Sequence, residues 1–178
     1  EALSKVVSLN EKNPLRYENR RLEGVYYWLG FVYLALDQPQ EAVGALKEAL
    51  AIDRADADAY YLLGNAHLRS GSYPEAVAAY RQAVRFVFDF QEAYQGLAQA
   101  YDKIGDGARA GYARGMVAFT SRNYDAAIGD LQRATQALPD FADAFFGLGL
   151  AYERKGLKDK ALENYEATLR LDANQAKI

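Results

Sequence analysis

Residues 57–90 read ADAYYLLGNAHLRSGSYPEAVAAYRQAVRFVFDF. In the first half, Tyr60, Leu63, Gly64 and His67 are spaced as on one face of a helix. The second half follows the turn signal SGSYP and repeats this spacing with alanines and a tyrosine. This stretch therefore predicts two helices joined by a tight turn.

The same columns of residues recur along the chain. Tyr26, Tyr60 and Tyr94 are separated by 34 residues each, and the columns return at Phe145 and Tyr152. Because the chain repeats one helical unit, the rest of it is also expected to be helical. We expect helices at about residues 1–10, 19–36, 39–52, 57–70, 73–87, 91–104, 108–121, 124–137, 141–155 and 158–171.

The pattern resembles that of the tetratricopeptide repeat family, which places aromatic, leucine, glycine and aromatic residues on one helix and alanine, aromatic and alanine on the next. Residues 57–90 match nearly all of it, although Phe88 stands where proline is usual. The resemblance implies an all-α, right-handed superhelical solenoid of antiparallel helix pairs. It covers residues 1–178 as one array, with a half repeat at 1–14, a partial repeat at 91–107, and repeats at 23–56, 57–90, 108–141 and 142–175.

Two segments depart from the period. Residues 16–22 add about six residues that are rich in helix formers, so we expect an extended first helix there. Further on, the columns set by Ala98 resume at Gly115 after 17 residues, which is half a period. The segment 108–121 must therefore serve both as partner of the helix before it and as first helix of the next pair.

The turn at residues 105–107, beside this half-repeat irregularity, has two interpretations. In one, it joins two sub-arrays of different orientation, and the glycine row Gly107, Gly111 and Gly115 allows an unusually close helix contact. In the other, the repeat is degenerate and its helices stack regularly.

Helix starts carry their own signals. Ser72 with Glu75 reads as a capping box, and Asn123 and Asp140 are suited to the N-cap position.

Composition excludes several classes of function. A net charge of -3 leaves no basic excess for nucleic acid. Without cysteine, and with His67 as the only histidine, no zinc site of the usual kind can form, and we expect no metal and no cofactor. The apolar runs are shorter than the roughly 20 residues that span a bilayer, so no membrane insertion is expected. His67 occupies an aromatic packing column and is interpreted as a core residue.

Other signals concern the compartment and the extent of the chain. It begins without methionine, which leaves open that it is a fragment of a longer protein. Nothing near its start has the pattern of a signal peptide, and the cytoplasm is slightly favoured over other compartments.

First helices line a concave groove in this family, so the resemblance implies a groove made by the residues beside the packing columns. We expect it to bind a peptide or helix of a partner protein, unless residues 16–22 or a neighbouring helix cover it. The chaperone-tail carboxylate clamp of the family is disfavoured, because only Asn65 of its residues is kept. The predicted groove residues are Tyr27, Trp28, Phe31, Tyr61, Asn65, Arg69, Gln99, Lys103, Phe146 and Leu150.

The basic residues Arg69, Lys103 and Arg154 recur near helix ends. They are suited to acidic side chains of a ligand, or else they only favour the helix dipole.

Self-assembly is the alternative function. Solenoids need polar capping helices, yet the last helix carries Leu162, Tyr165 and Leu169, and a possible homo-oligomer through the array ends follows. No nucleophile stands beside a base in the sequence, and no catalytic residue is predicted. The protein is therefore expected not to be an enzyme.

Overall fold

A computed structural model describes the backbone of residues 16–175 and the side chains of residues 21–173. The predicted half repeat at 1–14, with its helix at 1–10, lies outside the described residues.

Within residues 16–175 the chain forms nine α-helices and no strand, which confirms the all-α solenoid of helix pairs. The predicted bounds agree with these helices to within about four residues. The extended first helix is confirmed as well, because α1 begins at Arg16. The helices are α1 (Arg16–Ala35), α2 (Pro39–Ile52), α3 (Ala57–Arg69), α4 (Tyr73–Phe86), α5 (Gln91–Lys103), α6 (Gly107–Thr120), α7 (Tyr124–Ala137), α8 (Ala142–Arg154) and α9 (Lys158–Gln175).

The chain divides between Val87 and Phe88 into two compact units. The first unit contains the pairs α1/α2 and α3/α4, with α2 packed on α3 and α1 touching α3. Its core includes Leu46, Leu50 and Leu63, which belong to one buried cluster. Within this unit the second helix of the first pair thus packs on the first helix of the following pair.

The second unit contains α5, the pair α6/α7 and the pair α8/α9. Here α5 packs on α6, α7 packs on α8, and α6 touches α8. The turn at residues 105–107 joins α5 to α6 inside this unit, whereas the division of the chain into units falls between Val87 and Phe88. The interpretation that two sub-arrays are joined at this turn is therefore wrong, because the boundary between the two units lies elsewhere.

Glycines mark the positions where paired helices approach most closely. A Cβ added at Gly64 would lie 2.6 Å from the Tyr80 ring, and one at Gly149 would lie 2.6 Å from the Tyr165 ring. These crossings leave no room for a larger residue, which explains the glycine column.

The glycine row of α6 does not form the expected close helix contact along its length. Only Gly115 meets a neighbour, with Leu131 at 2.8 Å from an added Cβ. Gly107 and Gly111 have nothing within 4 Å of that position. The close contact is thus limited to one glycine.

Of the predicted N-caps, Asn123 is confirmed, Ser72 holds the N-cap position without the predicted capping bond, and Asp140 is wrong. Ser72 is the N-cap residue of α4 but makes no side-chain cap hydrogen bond, and its hydroxyl oxygen instead accepts the hydroxyl of Ser70 at 3.3 Å. Asp140 lies one residue too early, because Phe141 holds the N-cap position of α8. Asn123 accepts a hydrogen bond from the backbone N–H of Ala126, as predicted.

Candidate binding surfaces

Three helices present the predicted groove residues as rows with a spacing of four. Residues spaced by four lie on one helix face, one turn above the other. The rows differ in chemistry, since the α5 row is polar and the α8 row begins with two apolar residues. They are Tyr61, Asn65 and Arg69 on α3, Gln95, Gln99 and Lys103 on α5, and Phe146, Leu150 and Arg154 on α8.

In the first unit, aromatic rings cluster on α1. Trp28 contacts Tyr27 and Phe31 edge to face, with ring centroids 5.4 and 5.6 Å apart. Phe31 is 46% exposed, whereas Tyr27 and Tyr61 are half-buried and pack against the core. Phe31 is therefore the most accessible ring of the predicted groove in this unit apart from Trp28.

Trp28 lies on a different face from the other groove residues. Its equivalents one and several repeats later are Leu62 on α3 and Gly147 on α8, and both are buried. A Cβ at Gly147 would meet Met116 and Leu131 of the preceding helix pair. In the later repeats the Trp28 column therefore faces the preceding pair of helices, a different face from that of the other predicted groove residues.

Two polar groove residues of α3 are engaged inside the unit. The hydroxyl of Tyr80 donates to Oδ1 of Asn65 at 2.7 Å, and burial raises the pKa of Tyr80 well above its usual range. Nη1 of Arg69 donates to the backbone carbonyl oxygen of Leu34 at 2.6 Å. Leu34 lies in the last turn of α1, and its carbonyl oxygen also accepts the backbone N–H of Asp37 at 3.2 Å. Asn65 and Arg69, which lie on a groove row, are thus hydrogen-bonded to other residues of the same unit.

An aromatic cluster in the second unit was not predicted from the sequence. Phe88 contacts Phe119 of α6 and Phe146 of α8, with ring centroids 6.3 and 5.9 Å apart. The guanidinium of Arg154 lies 5.4 Å from the centroid of Phe119, as in a cation–π contact. Phe88 and Phe146 remain 39% and 41% exposed. The only sequence signal was the aromatic residue in a proline column.

The α6 helix does not contribute to the exposed rows. Tyr112 and Met116 occupy the row positions on α6, but both are buried. Tyr112 lies between Tyr94 of α5 and Phe141 near the start of α8, at 6.3 and 5.0 Å between centroids. Since α5 packs on α6, side chains that would line a groove are part of the core instead.

The predicted self-association residues behave differently from one another. Tyr165 is half-buried against Gly149, and its hydroxyl donates to Oε2 of Glu153 at 2.6 Å. Burial, followed by the neighbouring Glu153 carboxylate, raises the pKa of Tyr165 to about 12. Leu162 and Leu169, in contrast, are 58% and 70% exposed. Tyr165 thus belongs to internal packing, and the two leucines form the exposed face of α9.

The open part of the glycine row borders a cleft between α6 and α7. Its volume is about 320 Å³, and Gly107 and Gly111 are among its lining residues. Two arginines at its edge already have partners, since Arg114 pairs with Asp102 at 2.9 Å and Arg133 pairs with Asp130. The cleft therefore offers no unpaired charge from these arginines.

Two further searches cover the described part of the chain. Among residues 16–175, no three His, Asp or Glu residues come together in an arrangement that would hold a metal ion. None of the helices in that range combines the length and apolarity needed to cross a bilayer.

Comparison with known proteins identifies one family. The Tetratricopeptide repeat model matches residues 29–87 and 112–176, which together are more than half of the chain. The stretch that it leaves out between them contains α5 and the start of α6, where the half-repeat irregularity was predicted. No curated protein matches the chain.

The chain is similar to solved structures over most of its own length and most of theirs. A crystal structure of MamA is 26% identical, with a TM-score of 0.48, and the match covers 98% of this chain and 87% of that chain. MamA 41-end from Desulfovibrio magneticus RS-1 is 21% identical, with a TM-score of 0.45 and coverage of 86% and 96%. YrrB, described as a TPR protein with an unusual peptide-binding site, is 21% identical, with a TM-score of 0.45 and coverage of 96% and 92%.

Proposed function

The chain belongs to the tetratricopeptide repeat family of protein-interaction scaffolds, and we propose that it binds a peptide or helix of a partner protein on the exposed rows of its first helices. Members of the family are generally non-enzymatic. We propose that the present chain is likewise a binding protein and not an enzyme.

The observation that carries the proposal is the exposure of aromatic side chains on these rows. Phe31 on α1 and Phe146 on α8 are 46% and 41% exposed, and on α8 the packing residues Leu148 and Gly149 close to Phe146 are buried. Solvated aromatic rings gain free energy when a ligand covers them, and they are enriched among residues that dominate binding. Their position on the row thus fits recognition better than internal packing.

The chemistry of the rows favours an apolar ligand with acidic groups. Lys103 and Arg154 lie in the last turns of α5 and α8, at the ends of their rows. The guanidinium of Arg154 stacks on a ring and keeps its hydrogen-bond donors for a carboxylate. Arg69, which holds the carbonyl of Leu34, is less suited to this role.

The proposal is tested by selecting peptides on the immobilised protein from a random displayed library and measuring their affinity for variants. Phe31→Ala and Phe146→Ala are chosen because both side chains are largely accessible, and Phe146→Ala also removes the ring contacts with Phe88 and Tyr165. We expect at least one of them to weaken binding by about tenfold or more. Ile104→Ala is the matched control, since Ile104 is a 44% exposed apolar residue at the C-cap of α5 that is not one of the row residues.

Binding that tolerates both aromatic substitutions, or that is lost equally in the Ile104 control, would contradict the groove. Circular dichroism of each variant should show unchanged helix content.

A further inference from the structure

The cleft between α6 and α7 lies where the other helix pairs hold two large side chains. Each pair crosses at a glycine of its first helix, which is Gly115 in α6, and this crossing aligns the pairs residue by residue. Four residues before the glycine, α1, α3 and α8 carry an aromatic ring, and their second helices carry a large apolar residue six positions after the residue that the glycine meets. In α6 and α7 these columns hold Gly111 and Ala137. The side chains in the other pairs are Tyr26 with Ile52, Tyr60 with Phe86, and Phe145 with Leu171.

The first unit shows what these two side chains do. The Tyr60 ring stacks on the Phe86 ring, with centroids 5.8 Å apart and planes inclined by 18°. The two rings thus fill the space between α3 and α4 beyond the glycine crossing. With only a hydrogen and a methyl group in the same columns, α6 and α7 form a cleft of about 320 Å³, bordered by Gly111 and Ala137. This volume is at the lower end of the range of ligand pockets, roughly 300–1,000 Å³.

The cleft does not close by a closer approach of the two helices. A Cβ added at Gly115 would lie 2.8 Å from Leu131, so the backbones already approach as closely as this side chain allows. Leu131 is fully buried, and Ala134, one turn later, is 1% exposed. Smaller side chains at Gly111 and Ala137 therefore produce open space, and not a tighter helix pair.

Gly111 has no packing role that would explain it. It lies inside α6, where glycine destabilises a helix relative to alanine. Gly115 in the same helix is compensated, because it lets Leu131 approach. At Gly111 nothing lies within 4 Å of an added Cβ, so no close contact offsets the destabilisation. What the glycine provides is the open space itself.

The rim of the cleft suits a flat ring. Arg114 and Arg133 border it, and both are paired with the carboxylates described above. A guanidinium whose edge is paired keeps its planar face for stacking on an aromatic ring. Arg109 of the same unit does both, since it pairs with Asp106 and lies 5.4 Å from the centroid of Phe141. The rim therefore favours an aromatic side chain over an aliphatic one of the same size.

We propose that this cleft binds a tyrosine or phenylalanine side chain of another protein, in the place of the ring that the other first helices carry themselves. Residues 1–15 and 176–178, which lie outside the described backbone, contain no aromatic residue, so they do not supply the ring. Gly107 and Ala137 at the border of the cleft are exposed, and the main chain of a partner can pass over them.

The cleft is separate from the proposed peptide groove. Gly107, Gly111 and Arg114 lie on one face of α6, because they are spaced by four and three residues. The row positions on α6 are Tyr112 and Met116, which lie on another face and are buried. Loss of one site therefore leaves the other intact.

The first experiment uses p-cresol, which is the side chain of tyrosine, and 4-methylcyclohexanol as an aliphatic control with the same skeleton. Binding is followed by the amide NMR signals of Gly107 and Gly111, with the signal of Gly44 on α2 as internal reference. We expect p-cresol to shift the two cleft signals in a saturable way. The aliphatic control should bind about threefold more weakly, because a guanidinium is attracted to the face of an aromatic ring.

A ring supplied by the chain itself should block the cleft. Gly111→Tyr restores the residue type of the Tyr60 column and should abolish binding of p-cresol, while the melting temperature stays unchanged or rises. Gly44→Tyr is the matched control, because Gly44 is also an exposed helix glycine with nothing within 4 Å of an added Cβ. It should bind p-cresol as the parent does. Ala137→Phe fills the cleft from α7 and tests the same point if Gly111→Tyr does not fold.

A second experiment tests whether a polypeptide supplies the ring. Peptides from a random displayed library are selected on the Phe31→Ala/Phe146→Ala double variant, which lacks both exposed rings of the proposed groove. Their affinity is then measured for the same protein with Gly111→Tyr added. We expect the selected peptides to share a tyrosine or phenylalanine, and to lose binding when that residue is changed to leucine or when Gly111→Tyr is present.

Three outcomes would overturn the proposal. If p-cresol leaves the cleft signals unshifted, or binds Gly111→Tyr as tightly as the parent, no ring enters the cleft. If the selected peptides share no aromatic residue, the cleft does not recognise a ring of a polypeptide. If p-cresol binds but no selected peptide depends on the cleft, the ligand is a free aromatic molecule and not a protein.

Discussion

At the scale of single residues, Nδ1 of His67 is the one buried side-chain polar atom within residues 21–173 that has an open hydrogen-bonding position. Its Nδ1 is enclosed and has no hydrogen-bond partner among the described residues. Tyrosines fill the same column elsewhere, at Tyr33, Tyr101 and Tyr152, which agrees with the interpretation of His67 as a packing residue. The imidazole thus acts as an aromatic filler that retains the ability to take up a proton.

This leads to a prediction about pH. Burial, and then the positive charge of Lys47, lowers the pKa of His67, while Glu75 partly opposes the shift. The unfolded chain therefore takes up the proton more readily than the folded one. The stabilising contribution is present above about pH 6.5 and is lost as the pH falls through the lowered pKa. His67→Phe keeps the ring and should reduce the loss of stability between about pH 7.5 and 5, measured by urea unfolding.

The two proteins are compared by the slope of unfolding free energy against pH, since other groups titrate in both of them. An equal loss of stability in the parent and in the His67→Phe variant would mean that His67 is protonated as easily in the folded state as in the unfolded one.

At the scale of helices, the sequence predicted where each element lies better than how each element is capped. The 34-residue period fixed the helices to within a few residues, because every column had several copies to align. N-caps were less reliable, since Ser72 and Asp140 have suitable side chains but their backbones do not bring them to a free N–H. Capping depends on the local turn, which a list of residue types does not contain.

The start of α6 shows what a formed cap contributes, and it gives the second prediction. Oδ1 of Asp106 accepts the backbone N–H of Arg109 at 3.0 Å, and its second oxygen pairs with the Arg109 guanidinium at 2.5 Å. Burial works against ionisation of Asp106, but the bonds from Arg109 outweigh it and leave the pKa lowered. Asp106→Ala should lower the free energy of unfolding by about 1 kcal/mol.

Ser72→Ala serves as the matched control for this change. Ser72 also occupies an N-cap position, but it makes no cap hydrogen bond, so its loss should cost less than about 0.5 kcal/mol. Equal losses in the two variants, measured by denaturant midpoints, would show that the Asp106 cap contributes nothing specific.

The accessibility of the proposed groove rows could be predicted in part. Spacing within a helix placed Phe31 and Phe146 on accessible faces, because position on a helix follows from sequence separation alone. Phe88 could not be placed in this way, since its contacts lie on α6 and α8, which are distant in sequence. The burial of Tyr112 was missed for a similar reason, because only the structure shows that α5 covers that side of α6.

At the scale of the whole molecule, the chain consists of two compact units that each have their own packing. In repeat proteins stability is the sum of repeat and nearest-neighbour terms, so a local defect acts first on the unit that contains it. A substitution at a glycine crossing introduces the same kind of defect in either unit. Gly64 meets the Tyr80 ring in the first unit, and Gly149 meets the Tyr165 ring in the second.

The last prediction compares these two defects through two probes. Gly64→Leu and Gly149→Leu each force a side chain into a ring 2.6 Å away, and each should cost its unit more than about 2 kcal/mol. Trp28 fluorescence follows the first unit alone, whereas circular dichroism follows the helices of both. Gly64→Leu should therefore shift the fluorescence transition, while Gly149→Leu should shift only part of the circular dichroism transition. Gly111→Ala is the control, since Gly111 has open space around it and alanine favours a helix by up to about 1 kcal/mol. If Gly149→Leu moves the Trp28 transition as far as Gly64→Leu does, the chain unfolds as a single cooperative body, because a defect in one unit would then reach the other at full strength.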